Sequence, residues 1–348
     1  METPALLIYC NFFETNEKIW YNALLRWFTR MYKQILSKIQ EFDTIIIHTH
    51  LKPDGDAIGA QLGLKYALQA NFPKKGIFAV GEQNQRFIFL GNVDNVNDDI
   101  YNNALVIVVD CGAKHLISDE RYALGCFIIK IDHHIPQGEY GDLAFVNQNF
   151  ESASGIIAHF IKTFNLVLTK NAAEALFTGI VTDSGRFRYT SVSSQTFEIA
   201  SYLMKANIDL DKIYDNLYLE DLDTVKLRSK LTLKFQVLDT GIAYLINTYE
   251  DVVSYNSNPY NISRGMVNIM AGINQIYIWA NFTECEDGKV LVELRSRGPN
   301  INKIATKYGG GGHLLASGAT VESLAVVDDI LKDITKTMEE FNEQNRNI

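Results

Sequence analysis

The chain has 348 residues, 47% of them hydrophobic and 21% charged. Such a length favours two domains, and the composition is that of an ordinary globular protein, which excludes collagen, coiled-coil and disordered classes. Thirty-two basic side chains against 41 acidic ones leave a net charge of −9, so a long polyanion should be repelled unless the basic residues cluster.

In chain order, residues 1–15 give no clear reading. Their apolar run, 5–13, lacks a basic n-region and a small-residue cleavage site, so no signal peptide is expected. Residues 16–42 predict an amphipathic helix, with Trp20, Leu24, Phe28, Met31, Ile35 and Ile39 at helical spacing. Packing on a sheet is expected for it, not a membrane role. Residues 44–48 (TIIIH) predict a strand, 56–70 a helix, and 76–80, 104–110 (ALVIVVD) and 127–132 (FIIKID) further strands. These runs are apolar throughout rather than alternating, which points to parallel strands buried on both faces. Helical patterns follow at 153–164 and 171–182. The expected class is therefore α/β, a mainly parallel sheet with flanking helices.

Residues 193–238 are helical in pattern and read as a connection. A smaller mixed α/β domain follows, with strands at 241–248, 276–284 and 289–296, helices at 261–273 and 301–307, and a final helix at 322–342. The expected organisation is an extension over 1–40, a catalytic core over 41–192, a helical connector over 193–240 and a second domain over 241–348. Cys10, Cys111, Cys126 and Cys285 form no CxxC pair, which argues against a disulfide framework or a zinc ribbon. The most apolar stretch, 266–282, carries Asn268, Asn274 and Gln275, so no membrane span is expected. A soluble cytoplasmic protein is the expectation.

The informative pattern is where acids and histidines fall. The segment from His48 through His50, Pro53, Asp54 and Asp56 follows the first strand directly. Asp110 ends the third run, Asp132-His133-His134 ends the fourth, and Asp183 closes the helical pattern before Ser184, Gly185 and Arg186. Carboxyl ends of strands in an open α/β sheet line the ligand crevice. Carboxylates so crowded repel one another, and divalent cations relieve the repulsion. Imidazole with carboxylate suits Mn2+, Fe2+ or Zn2+. Two ions about 3.5–4 Å apart, bridged by one carboxylate, make a hydrolytic site. Each piece also has a structural reading: Asp54-Gly55-Asp56 as a turn, Asp110 as a helix cap, the histidine pair as packing. All four at consecutive element ends favour chemistry. His115 and His159 lie outside the pattern, and His48 is expected to orient or pack rather than ligate.

These motifs resemble the DHH phosphoesterase superfamily, named for the triplet Asp132-His133-His134. The likeness covers nearly all of the chain after about residue 40. Gly309, Gly310, Gly311, Gly312 and His313, followed by Ala316-Ser317-Gly318, resemble the signature of the DHH-associated carboxy-terminal domain. The combination is most similar to the branch of short-oligoribonucleotide nucleases that also dephosphorylate 3′-phosphoadenosine 5′-phosphate (pAp). The resemblance implies one ion on His50, Asp54 and Asp110 and another on Asp56, Asp110, His133 and Asp183, with manganese the usual metal. It implies that Asp110 bridges, that His134 faces the scissile phosphate as polariser or proton donor, and that Asp132 orients the histidines.

Between residues 289 and 313 the cations are Lys289, Arg295, Arg297, Lys303 and Lys307, against Glu293 alone. Four successive glycines can present N–H groups to an anion, and Arg295 can hold a phosphate bidentately; the alternative is a flexible turn with a solvated basic face. The resemblance places the substrate's terminal phosphate or base here, on Arg295, the four glycines and His313, with Arg186 as a further contact. Two departures bear on substrate choice: Glu293 stands where the family often has Ser, and Leu314 and Leu315 stand where a basic residue commonly follows the glycine-histidine run.

The resulting expectation is metal-assisted hydrolysis of short single-stranded RNA to mononucleotides and of the 3′-phosphate of pAp to give AMP. One local basic cluster holds one or two phosphates, so oligonucleotides of about two to five residues and a shallow salt dependence are expected. Ser184 has no base beside it in sequence, so no serine mechanism is expected. The rivals are a cyclic- or linear-dinucleotide phosphodiesterase, an inorganic pyrophosphatase, and a nucleotide sensor without turnover, against which the intact acids argue. No membrane partner is expected, and a homodimer is left open.

Overall fold

The computed structural model describes residues 17–135 and 138–345, with side chains from residue 29 onward. The run 5–13, Cys10 and the side chains of Trp20, Leu24 and Phe28 lie outside the described residues. The chain divides into two compact units, up to Leu219 and from Glu220.

The first unit runs α1 (Glu17–Glu41), β1 (Thr44–His48), α2 (Gly55–Asn71), β2 (Gly76–Ala79), β3 (Leu105–Val109), β4 (Phe127–Asp132), β5 (Leu143–Val146), α3 (Ala153–Thr163), α4 (Lys170–Asp183), α5 (Ser194–Met204) and α6 (Leu210–Tyr218). Its sheet has the order β2-β1-β3-β4-β5 and every pair is parallel. The apolar runs explain this: β3 is buried at all five positions. Alternate residues feed opposite faces. Ile45 and Ile47 join the helical layer with Ile35, Ile39, Ile58, Leu62 and Leu176. Ile46, Val106 and Val108 face a thinner layer of short turns with Tyr101, Ile117 and Tyr122.

The closest helix packing sets the site. Gly55, Gly59 and Gly63 recur every fourth residue along α2, which puts them on one side of the helix, and α4 lies against that stripe. A methyl group on Gly59 would sit 2.6 Å from the Ala175 carbonyl oxygen. One on Gly179, in α4, would overlap Ser154 and come within 2.9 Å of an Asp56 carboxylate oxygen. The small residues thus let two helices carrying Asp56 and Asp183 approach backbone to backbone.

The second unit comprises α7 (Leu222–Lys234), β6 (Gln236–Leu238), β7 (Ile242–Asn247), α8 (Tyr249–Ser254), β8 (Ile278–Glu284), β9 (Val290–Ser296), α9 (Asn302–Lys307), β10 (Gly311–His313), β11 (Ala316–Val321) and α10 (Val327–Asn345). Its mixed sheet has the order β10-β11-β9-β8-β7-β6. Ile278, Ala280, Phe282, Val292 and Leu294 pack against Ile330, Ile334 and Met338 of α10. The other face bears Trp279, Asn281, Glu293 and Arg295, with Leu231, Val252, Val267 and Met270 over its β7–β8 side.

Several elements differ from expectation. The residues read as a connector separate: α5 and α6 bury Ile199, Leu203, Ile213 and Leu217 in the first core, and α7 buries Leu231 in the second unit. The helix expected over 261–273 is a π turn at Asn261–Gly265 followed by a 3-10 turn at Val267–Met270. Buried Asn281 causes this, its amide donating to the Ile262 and Ser263 carbonyls at 2.7 and 2.9 Å. The glycine run is not a flexible turn, because β10 pairs antiparallel with β11. Among the described residues no helix is long and apolar enough to cross a membrane.

Candidate metal centre and substrate strand

Each acid or histidine singled out at an element end reaches one point at the carboxyl edge of the parallel sheet. Just past β1, the His50 Nδ1–H donates to the Leu51 carbonyl at 2.7 Å. That bond selects the tautomer and leaves Nε2 free to face Asp110 Oδ2 at 3.6 Å. Asp54 caps α2, accepting the Asp56 and Ala57 amides on Oδ1 alone. Asp56 is buried, and its two oxygens accept the Ala153 and Ser154 amides at the start of α3, at 2.6 and 2.8 Å.

Asp110 follows β3 with φ +54, a conformation costly for a residue with a side chain. The turn directs a buried carboxylate between two imidazoles. Its Oδ1 has no hydrogen-bond donor and lies 3.4 Å from His133 Nε2. The same nitrogen is 3.4 Å from Asp183 Oδ2 and 3.7 Å from Asp56 Oδ2. His134, about half exposed, donates from Nδ1 to Asp132 Oδ1 at 2.9 Å, and Asp132 Oδ1 also accepts the His133 and His134 amides.

Lys130 went unread in the sequence, although a lysine inside the apolar strand FIIKID signals a buried partner. It is 2% exposed. Its Nζ sits 3.2 Å from Asp132 Oδ2, donates to the Gly112 carbonyl at 3.1 Å, and lies 4.6 Å from the Tyr140 ring centroid. The Tyr140 hydroxyl donates to the Cys111 carbonyl at 2.6 Å. The triplet and the turn after Asp110 are thereby tied to one ammonium group. His48 is a packing residue, fully buried against the Tyr101 hydroxyl, and His159 lies against Tyr32 and Phe150.

Proton affinities in this cluster follow the crowding. Burial pulls the His50 imidazole down, but Asp110 outweighs it and holds the pKa at about 9. Burial also opposes protonation of His133, yet Asp110, Asp56 and Asp183 raise it to about 10. Burial, with the Asp110 and Asp54 charges, lifts Asp183 to about 6. Burial and Asp110 push Asp56 well above the carboxylate range. Burial also raises Asp110, but His133 and His50 overcome it and hold that carboxyl below the usual range. A cation would take the place of the protons that hold these groups together.

The donor set fits a divalent metal. His50, Asp54 and Asp110 form one group, Asp56, His133 and Asp183 a second, and Asp110, His133 and His134 a third, the ligand atoms of each within 4.8 Å of one another. The orphaned Asp110 Oδ1 is the kind of buried acceptor an ion satisfies.

In the second unit the expected basic cluster disperses. Lys289 immediately precedes β9 and Arg295 nearly ends it, roughly 20 Å apart at strand rise. Lys307 is held by Asp333, and Arg297 donates to the Asn274 carbonyl and stacks over Tyr277. The register puts Arg295 opposite Ala316, which pairs with His313. Glu293 engages this arginine directly: its Oε2 accepts from Arg295 Nη1 at 2.9 Å. A methyl on Gly310 or Gly312 would strike the β11 backbone, whereas Gly309 and Gly311 face open space. The exposed His313 side chain sits on a backbone fixed by Ser317, whose hydroxyl donates to the His313 carbonyl at 2.7 Å, and by Asn302, whose amide donates to the Gly312 carbonyl at 2.7 Å. Arg186, in the first unit, lies exposed just after Asp183.

Residues 44–180 match the family model for the DHH family, N-terminal domain, and residues 249–340 that for the DHHA1 domain. A Streptococcus mutans protein named "Probable bifunctional oligoribonuclease and PAP phosphatase NrnA" is 39% identical over 303 residues, covering 87% of this chain and 97% of that one. The Bacillus subtilis "Bifunctional oligoribonuclease and PAP phosphatase NrnA" is 36% identical over 307 residues, covering 87% and 97%. Among solved structures, an exopolyphosphatase-related protein from Bacteroides fragilis shares the fold, with a TM-score of 0.75 at 24% identity over 91% of this chain and 97% of the other. With these relatives and the acid–histidine geometry together, the chain belongs to the DHH family and carries a DHHA1 domain in its second unit.

Proposed function

We propose that this protein is a divalent-metal-dependent phosphoesterase that hydrolyses short single-stranded oligoribonucleotides to mononucleotides and removes the 3′-phosphate of pAp to give AMP. The observation that carries the reading is the convergence of His50, Asp54, Asp56, Asp110, His133 and Asp183 around one buried carboxylate with an unsatisfied oxygen. The names of the relatives support the substrate class.

His50, Asp54 and Asp110 would hold one ion and Asp56, Asp110, His133 and Asp183 the other, with Asp110 common to both sets; manganese suits this mixed set. Bound there, two divalent cations neutralise phosphoryl charge and acidify the attacking water. Asp132 takes the His134 Nδ1–H, so His134 Nε2 is turned outward to donate to a phosphate oxygen or to the leaving oxygen. The α3 amides fix the Asp56 oxygens, so that carboxylate is oriented before anything binds. Arg295, His313 and the open glycines Gly309 and Gly311 would hold a second phosphate or a base, in competition with Glu293 for the guanidinium. Action in the cytoplasm belongs to the same proposal, supported by free Cys111, Cys126 and Cys285.

A substrate panel with Mn2+ tests the reading: an RNA dinucleotide, an RNA 5-mer, pAp, cyclic dinucleotides and pyrophosphate. Turnover of the first three well above the others is expected. Preference for cyclic dinucleotides or pyrophosphate would contradict it.

A further inference from the structure

Beside the acid–histidine centre, the first unit carries a second, oppositely charged feature. Arg86, Arg186 and Arg188 are all exposed. Among the described residues none of the three has an ion pair, whereas Arg228 and Arg295 each have one and Arg121 has two. Three uncompensated guanidiniums gathered in a chain of net charge −9 call for an explanation.

They meet on an aromatic support. The Arg186 guanidinium stacks 4.6 Å from the Tyr218 ring centroid, and Tyr214 lies 5.7 Å from Tyr218. Burial raises the Tyr218 hydroxyl above its ordinary range, and the charges of all three arginines oppose that rise. Arg86 Nη2 donates to the Leu217 carbonyl at 3.0 Å and Arg188 Nε to the Gly185 carbonyl at 2.9 Å. Each of those bonds uses one donor and aims the rest of the fork. The Arg186 guanidinium donates to nothing among the described residues, its backbone N–H alone reaching the Val181 carbonyl.

Two short segments connect the support to the metal centre. Arg186 and Arg188 sit on the turn that leaves Asp183, where Gly185, Arg186 and Phe187 all have positive φ. Arg86 follows Asn84, whose amide donates to the Pro53 carbonyl at 2.7 Å, next to Asp54. Fixed guanidinium forks with free donors match phosphate oxygens, and tyrosine beside them offers a surface for a base.

We propose that Arg86, Arg186 and Arg188, on Tyr214 and Tyr218, form a subsite for the RNA phosphodiester adjacent to the scissile one. The proposal rests on the oligoribonucleotide reading above and adds to it a grip within the catalytic unit. A substrate whose only phosphate is the scissile one has nothing to place there.

The test compares an RNA 5-mer with bis(p-nitrophenyl) phosphate in the full chain with Mn2+, using Arg86→Gln/Arg188→Gln and, separately, Arg186→Gln. Loss of charge-assisted contacts should lower kcat/KM on the 5-mer by about 10- to 100-fold, mainly through KM. The chromogenic diester should lose far less. For the double variant the slope of log KM against log salt should flatten by about 1.4, as expected for two fewer phosphate contacts on a single strand. Should the glutamine pair unfold the unit, Arg86→Lys/Arg188→Lys keeps both charges, loses the planar forks, and should still lose activity selectively on RNA. Equal loss on both substrates would place these residues in support of the metal centre and overturn the subsite, as would no loss on either. A wild-type enzyme that cleaves the chromogenic diester but no RNA would sink the oligoribonucleotide reading and the subsite with it. RNA cleavage indifferent to the variants would sink the subsite alone.

Discussion

Replacing Lys130 with methionine isolates the least visible support of the centre. The Nζ to Asp132 Oδ2 distance is 3.2 Å, and the residues are 2% and 0% exposed. At an effective dielectric near 20 that pair attracts by about 5 kcal/mol before desolvation is counted. Breaking a buried pair by removing one partner costs about 3–5 kcal/mol, because the remaining charge is stranded. For a unit of this size the loss lowers Tm by about 6–20 °C. Burial drives Asp132 toward protonation, while His134 and Lys130 hold its carboxyl below the usual range. Without Lys130 that balance weakens, and the Asp132 carboxylate that orients His134 is held less firmly, so kcat should fall about 10- to 100-fold. Thermal unfolding of the full chain and turnover of a chromogenic diester with Mn2+ measure the two effects. Lys130→Met/Asp132→Asn should recover part of the stability but none of the activity. A Tm within about 2 °C of wild type, with kcat unchanged, would refute the reasoning.

Glu293→Ser should free Arg295 from a part-buried partner and lower KM for pAp by about 5- to 30-fold, the equivalent of 1–2 kcal/mol of competition removed; a raised KM would show that Glu293 presents the guanidinium instead. Gly179→Ala pushes a methyl group toward Ser154 and Asp56, so about 1–3 kcal/mol of stability should be lost by overpacking, with weaker Mn2+ binding in calorimetry. In the metal-free protein His50 and His133 titrate at about 9 and 10, above their unfolded value. Their stabilisation is therefore complete below about pH 6.5 and disappears as pH rises through 9 to 10. At pH 7.5 an incoming cation must displace those protons, so Mn2+ calorimetry in buffers of different ionisation enthalpy should report net proton release, with affinity tightening as pH rises. Zero net release would contradict that protonation pattern.

The parallel sheet was legible because TIIIH, LVIVV and FIIKID are apolar without alternation, and the acids at their ends drew attention to one edge. The edge strand Leu143–Val146 was not, since four residues with one buried position leave little pattern. The Glu293–Arg295 pair was within reach: residues two apart on a strand share a face, and VLVELRS alternates cleanly. Counting cations by nearness in sequence joined Lys289 to Arg295, which the length of β9 separates. The partners of Lys130 could not be read, because Gly112 and Tyr140 reach it from irregular segments. The arginine–tyrosine support joins residues up to 132 positions apart, from Arg86 to Tyr218, and no local pattern marks it.

The central claim is that two ions share Asp110. The direct measurement is Mn2+ stoichiometry taken together with RNA dinucleotide turnover in wild type and Asp110→Ala. The account predicts two ions and rapid turnover for wild type. For Asp110→Ala it predicts fewer than two ions and a kcat lower by at least about a thousandfold, equivalent to some 4 kcal/mol of transition-state stabilisation, with an unchanged circular-dichroism spectrum. Near-normal turnover in Asp110→Ala, or wild-type turnover that survives complete removal of the metal by a chelator, would contradict it.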